Sequence, residues 1–262
     1  MRPRRHAARQ HSAVALCLAA ATALCFTVAN AAPATAAPRW SYYGADGPDR
    51  WAAISNAFAT CGNGREQSPV DLARATERDL VNPEAAYRPG DARIVDDGHT
   101  VEVDVDGGSI LTLDGVPYGL VQFHFHSPSE HTVNGNSFAV ELHLVHRAES
   151  GAFAVVGVFI AGGAQNPALV PVLAALPSKE GKEVRLREPF DPSTLLPEDR
   201  RAYRYTGSLT TPPCTEGVSW VVMATPIQAS GQQIAALARA LEGNNRPPQA
   251  IGDRAVVLDS TP

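Results

Sequence analysis

The chain has 262 residues, of which 44% are hydrophobic and 19% charged, with a formal net charge of −5. This balance excludes a disordered chain, and 21 Gly and 21 Pro in no repeat exclude a collagen-like one. A mildly acidic chain without a basic block argues against phosphate-driven nucleic-acid binding, and four cysteines are too few for a disulfide-built miniprotein.

The first 36 residues read as an export leader. Arg2, Arg4, Arg5 and Arg9 form a basic start, Ser12–Ala29 is an unbroken apolar or small run, and Ala29-Asn30-Ala31 or Ala34-Thr35-Ala36 offers a cleavage site near residues 31–36. The run is Ala-rich and ends in small residues and proline rather than a basic stop signal, which favours a cleaved leader over a membrane anchor. Loss of the leader's four arginines takes the net charge from −5 to −9. Cys17 and Cys25 leave as well, so Cys61 and Cys214 are expected to form a disulfide in an oxidising compartment. The expectation is an exported protein, periplasmic or extracellular, with no stable membrane association after leader removal and no nucleic-acid partner.

Residues 37–262 contain no linker or repeat and read as one domain. Val101, Val103 and Val105 alternate with Glu102, Asp104 and Asp106, the period of a half-buried strand. Further strands are predicted at Ser109–Leu113, Gly119–His126, Ser137–His146, Phe153–Ile160, Glu183–Leu186, Arg201–Tyr205, Val218–Ala224 and Ala255–Leu258. Asn134-Gly135 is a hairpin-turn signal between Gly119–His126 and Ser137–His146. Helix signals are few. A short helix is predicted over Asn166–Leu176, interrupted near Pro171, and Ser230 with Gln233 forms a capping box opening a helix with Ile234, Leu237 and Leu241 on one face. The fold class is β-dominated α+β: a single domain with a large, mainly antiparallel central sheet and short surface helices.

Five of the eight histidines lie between His124 and His146. Successive strand side chains point to opposite faces, so Gln122, His124 and His126 share one face while Phe123 and Phe125 occupy the other. On the partner strand Glu141, His143 and Val145 share a face. Pairing these faces converges three imidazoles, the ligand set of a catalytic zinc with an open fourth position. Three neutral ligands leave the full metal charge to act on a bound water. Gln122 and Glu141 are placed to hold the distal ring nitrogens. His131, in the loop, and His146, on the opposite face from His143, read as structural.

The sequence resembles the α-class carbonic anhydrases, and in particular their compact exported bacterial members. The resemblance rests on Gly64-Arg65-Glu66-Gln67-Ser68-Pro69-Val70-Asp71, Gly98-His99, Gln122–His126, Ser129-Glu130-His131-Thr132-Val133, Ala139–His146 and Gly207-Ser208-Leu209-Thr210-Thr211-Pro212-Pro213. It implies one zinc ion per chain on His124, His126 and His143, and hydration of carbon dioxide by attack of zinc hydroxide. Thr210 would orient that hydroxide, Glu130 would accept the Thr210 proton, and His99 would be the proton shuttle to buffer. Val145, Val155, Leu209, Thr211, Val218 and Trp220 would form the pocket for a small-molecule substrate, CO2 or bicarbonate. The positions of Cys61 and Cys214 match the disulfide of exported members. The resemblance also places Tyr43, Asp97 and Glu102 beside the solvent chain between metal and shuttle. Asp97 and Glu102 depart from the family there, standing where neutral amides are usual, and are expected to act on His99. A monomer or homodimer is expected. Two other readings are a carbonic-anhydrase-like binding module without catalysis and an unrelated redox metal β-barrel. All of His124, His126, His143, Glu130 and Thr210 are present, which speaks against the first. The Ser-Leu-Thr-Thr-Pro-Pro segment has no role in the second.

Overall fold

The computed structural model describes residues 38–261, so the expected leader, its cleavage sites, Cys17 and Cys25 lie outside the described residues. The strands are β1 (Thr76–Arg78), β2 (Glu84–Ala86), β3 (Asp91–Asp96), β4 (Val101–Asp106), β5 (Ile110–Leu113), β6 (Val116–His126), β7 (Val140–Arg147), β8 (Phe153–Gly162), β9 (Glu183–Arg185), β10 (Ala202–Ser208), β11 (Glu216–Met223), β12 (Ile227–Ala229) and β13 (Val257–Asp259). The helices are α1 (Trp51–Ile54), α2 (Thr60–Asn63), α3 (Leu169–Ala174) and α4 (Gly231–Leu241).

All the strands join one mixed sheet, whose main path runs β1-β13-β10-β11-β8-β7-β6-β4-β3-β9. Most pairings are antiparallel; β1 with β13, β11 with β8 and β12 with β8 are parallel. The predicted strands are all present with shifted ends. β1 and β2 carry no alternation because all their residues are exposed. In β3 only Ala92 and Ile94 are buried, too short a pattern to stand out in the sequence.

Strands β6 and β7 pair antiparallel with His124 opposite His143 and His126 opposite Glu141. The Asn134-Gly135 turn exists, with φ of 52° and 74°, but closes an isolated Val133–Asn136 bridge rather than the two strands directly. The connection over 127–139 is therefore a folded excursion, and it carries Glu130 and His131 back beneath the sheet.

The sheet divides the interior by period 2. Phe123, Phe125, Leu142, Leu144 and Val103 point into one core with Leu237 and Leu241 of α4. Val145, Val155, Val218 and Trp220 pack in a second cluster on the other face. Burial of such side chains contributes about 1.5–3 kcal/mol each, which ties the face bearing the histidines to a rigid support. α4 opens on the predicted capping box, Ser230 Oγ accepting from the Gln233 N–H at 3.3 Å. α3 carries Pro171 in its first turn, where no intrahelical N–H is lost. Cys61 and Cys214 form a disulfide.

Candidate metal centre

His124 and His126 come from β6 and His143 from β7, and their ligand-capable nitrogens all lie within 4.8 Å of one another. His126 and His143 are buried, while His124 is half-buried. One nitrogen of each ring is already engaged by an oxygen: His124 Nδ1 with Gln122 Oε1 at 2.8 Å, His126 Nδ1 with the Asn244 carbonyl at 2.7 Å, and His143 Nε2 with Glu141 Oε1 at 2.9 Å. Oxygen acceptors fix the protons on those nitrogens. The lone pairs of His124 Nε2, His126 Nε2 and His143 Nδ1 are left to converge. His126 Nε2 is buried without a hydrogen-bond partner, the condition of an atom built to bind something else. Three neutral nitrogen donors suit zinc, so the residues present fit the metal that the motif implies.

Electrostatics agree with a neutral donor set at two of the rings. Desolvation, with the rings of His126 and His143, holds His124 well below the ordinary histidine range. Desolvation also lowers His126, against the pull of Glu130. For His143 burial acts downward, but the Glu141 carboxylate bonded to its ring outweighs it and the direction is up. Burial would raise Glu141, yet His131 and His143 outweigh it and hold this carboxyl well below its usual range.

Glu141 reaches further than the sequence suggested. Its Oε1 also accepts from His131 Nδ1 at 2.7 Å, and its Oε2 accepts the backbone N–H groups of Glu130 and His131 at 2.9 and 2.8 Å. His131 Nε2 meets the Tyr205 hydroxyl at 2.6 Å, which meets Ser68 Oγ at 2.8 Å. His131, read from the sequence as structural, is thus tied into the support of the centre itself. Gly157 lies under this carboxylate, where a Cβ would come within 3.1 Å of Glu141 Oε1. His146 stays apart on the other face, bonded to the Tyr87 hydroxyl at 2.7 Å.

Glu130 is fully buried below the rings. Its Oε1 accepts the Arg246 N–H at 2.8 Å, and its Oε2 lies 3.6 Å from His126 Nε2 and has no hydrogen-bond partner. Thr210 is buried in the loop after β10, and among the described residues its hydroxyl makes no hydrogen bond to Glu130. Leu209 packs with Val145, Val155, Val218 and Trp220, giving the histidine face an apolar wall, and Thr211 is half-buried beside Thr210. The Trp220 ring stands 4.9 Å from that of His143, its Nε1–H donating to the Ser208 carbonyl.

His99 lies in the turn after β3, its ring stacked on Trp40 at 3.7 Å. Three of its expected neighbours behave differently. Tyr43 is 56% exposed, whereas Tyr42, one residue earlier, buries its hydroxyl within the influence of Glu130 and Asp97. Of the two tyrosines it is Tyr42 whose buried hydroxyl Glu130 and Asp97 influence, because the irregular segment after Trp40 turns Tyr43 outward. Asp97 Oδ1 accepts the N–H groups of His99 and Thr100 at 2.8 and 2.7 Å and so shapes the turn. Glu102 accepts from Gln122 Nε2 at 2.7 Å rather than from His99. Burial, then Asp104 and Asp97, pushes its carboxyl up to about 7.

Two residues of the site carried no signal in the sequence. Asn244, just past α4, holds His126 with its carbonyl, and its amide donates to the His99 carbonyl at 3.1 Å and the Phe125 carbonyl at 2.9 Å. The buried Arg246 bonds Gln67, Ser68 and Cys61 and lies over Trp51. Both sit more than a hundred residues from the groups they hold, so no local spacing could reveal them.

A family model described as eukaryotic-type carbonic anhydrase matches residues 46–260. A carbonic anhydrase of Nostoc sp. is 42% identical over 224 residues, covering 83% of this chain and 85% of the relative. The α-carbonic anhydrase of Thermovibrio ammonificans, solved with the inhibitor sulfanilamide, superposes with a TM-score of 0.82 at 41% identity over 84% of this chain and 99% of that one. Dioscorin complexed with ascorbate superposes with a TM-score of 0.78 at 36% identity, over 84% and 97% of the two chains. With the converging triad at its centre and such relatives along most of its length, the chain belongs to the eukaryotic-type, or α-class, carbonic anhydrases and is an enzyme of that family.

Proposed function

We propose that this carbonic anhydrase hydrates carbon dioxide reversibly to bicarbonate and a proton, with one zinc ion per chain held by His124 Nε2, His126 Nε2 and His143 Nδ1. The observation that carries the reading is the set of three ring nitrogens within 4.8 Å of one another, each ring held at its other nitrogen by an oxygen acceptor. Bound there, zinc supplies the Lewis-acid charge that makes water acidic near neutral pH, a property for which carbonic anhydrases are the standard example.

The protein's own residues do the rest. The wall of Val145, Val155, Leu209, Val218 and Trp220 accepts a substrate with no charge and no donor, with Thr211 at its margin. The Thr210 hydroxyl, which makes no bond to Glu130 in this structure, would orient the attacking oxygen by turning to donate its own proton to Glu130 Oε2, the carboxylate oxygen without another partner. The Thr210 N–H then holds the developing product oxygen. His99 moves the released proton toward buffer, imidazole being the side chain that exchanges protons near neutral pH. Its stack on Trp40 gives the ring a resting place at the outer end of that path. Asp97 fixes the turn and Tyr42, not Tyr43, lines the path.

The same reading treats residues 1–36 as a leader removed near residues 31–36. It makes residues 37–262 one catalytic domain, exported to a periplasm or the cell exterior as a monomer or homodimer. The disulfide fits an oxidising compartment, and among the described residues no helix is long and apolar enough to cross a membrane.

Stopped-flow CO2 hydration with metal analysis tests the reading. One zinc per chain, hydration activity and inhibition by sulfanilamide are expected, and His124→Ala should lose both metal and activity. Stoichiometric zinc without hydration would overturn the reading in favour of a binding module.

A further inference from the structure

The three partners that hold the ligand rings are not equally fixed. His126 is held by a backbone carbonyl. His143 is held by Glu141, whose oxygens are saturated by four donors. Gln122 alone is a side-chain amide, with an accepting end and a donating end on one terminus. With Oε1 toward His124, it accepts the Nδ1 proton and leaves the Nε2 lone pair bare. Turned over, it would donate to Nδ1 and move the ring proton to Nε2, the nitrogen that has to bind.

Glu102 decides between the two. It stands opposite His124 in the β4–β6 register, and its Oε2 accepts from Gln122 Nε2 at 2.7 Å. An ionised carboxylate can only accept, so it admits only the donating end of the amide. A neutral amide at this position could satisfy Gln122 in either orientation.

We propose that Glu102 is a positioning residue for the metal ligand His124: it fixes the orientation of the Gln122 amide and thereby the ring tautomer that binds zinc. The inference rests on the zinc reading above. It makes the Glu102–Gln122–His124 chain the counterpart of the rigid supports behind His126 and His143.

Zinc affinity of the metal-free protein, measured by chelator competition at pH 8.5, tests this without reference to turnover. Losing a partner of this kind costs about 10–100-fold in metal affinity. Glu102→Leu should weaken zinc by about 10-fold, the lower end of that range. Glu102→Gln, whose amide satisfies Gln122 in either orientation, should keep much of the loss. Adding Glu102→Leu to Gln122→Leu should cost nothing further, because the effect runs through the amide. Equal affinity in wild type and Glu102→Leu, or a full further loss in the double variant, would overturn the proposal and leave the zinc reading intact. A wild-type protein that takes up no zinc would sink the zinc reading, and the proposal with it. Long-range 15N spectra of metal-free wild type need no variant to fold: His124 should be protonated on Nδ1, and an Nε2 proton would refute the proposal.

Discussion

His131 Nδ1 and His143 Nε2 share one carboxylate oxygen, Glu141 Oε1, at 2.7 and 2.9 Å. The other oxygen takes two backbone N–H groups, so the carboxylate faces donors on every side. Glu141→Gln would set an NH2 group against donors in either orientation. Zinc affinity should fall by about 10–100-fold, measured by chelator competition. Stability should fall as well, by about 1–3 kcal/mol for the unsatisfied buried donors, read from urea unfolding. Unchanged affinity would remove Glu141 from the metal's support.

The Cys61–Cys214 disulfide joins segments 153 residues apart and ties down the loop that bears Thr210. Closing a loop of that size should stabilise by roughly 4–5 kcal/mol in the chain-entropy model. Urea unfolding of the oxidised and fully reduced protein measures this. A difference below about 1 kcal/mol would show that the hydrogen bonds of Gln67 and Arg246 hold this region without the covalent link.

His146 carries a pH prediction. Desolvation lowers it from the ordinary 6.5 to about 4, and its Nε2 shares a hydrogen bond with the Tyr87 hydroxyl. A depressed histidine pKa means that the unfolded chain binds the proton more readily than the folded one. Stability is therefore full above about pH 6.5 and lost as pH falls toward 4, by up to about 3 kcal/mol from this residue. Unfolding by urea at pH 7.5 and 4.5 should show the loss, and His146→Gln should flatten it. An equally steep fall in the variant would assign acid sensitivity to other groups.

Much of the site was legible because it lies on strands. His124, His126, Gln122 and Glu141 fall on predictable faces once β6 and β7 are recognised, since the side-chain period is 2 and Phe123, Phe125, Leu142 and Leu144 mark the opposite face. Tyr42 lies in an irregular segment with no period, so a one-residue slip to Tyr43 had nothing to correct it. The contact of Glu102 with Gln122 was hidden for another reason. Sequence placed it near His99, but its pairing with Gln122 depends on the register between β4 and β6, which no turn signal sets. Asn244 and Arg246 were invisible because their partners are distant in the chain and their own segment is neither helix nor strand.

The irregular tail beyond α4 has a bearing on where this chain can be cut. Glu242 and Gly243 take left-handed conformations, with φ of 50° and 81°, and deliver Asn244 and Arg246 into the interior. Through them a ring on β6, the turn bearing His99 and the carboxylate of Glu130 are all fastened to the same short stretch. A chain ending after α4 would keep all three histidines of the triad and most of the sheet, yet lose the clamp that aims one ring and steadies Glu130. The centre is thus steadied by the short stretch just beyond α4, and a fragment defined by its motifs alone would lack that clamp.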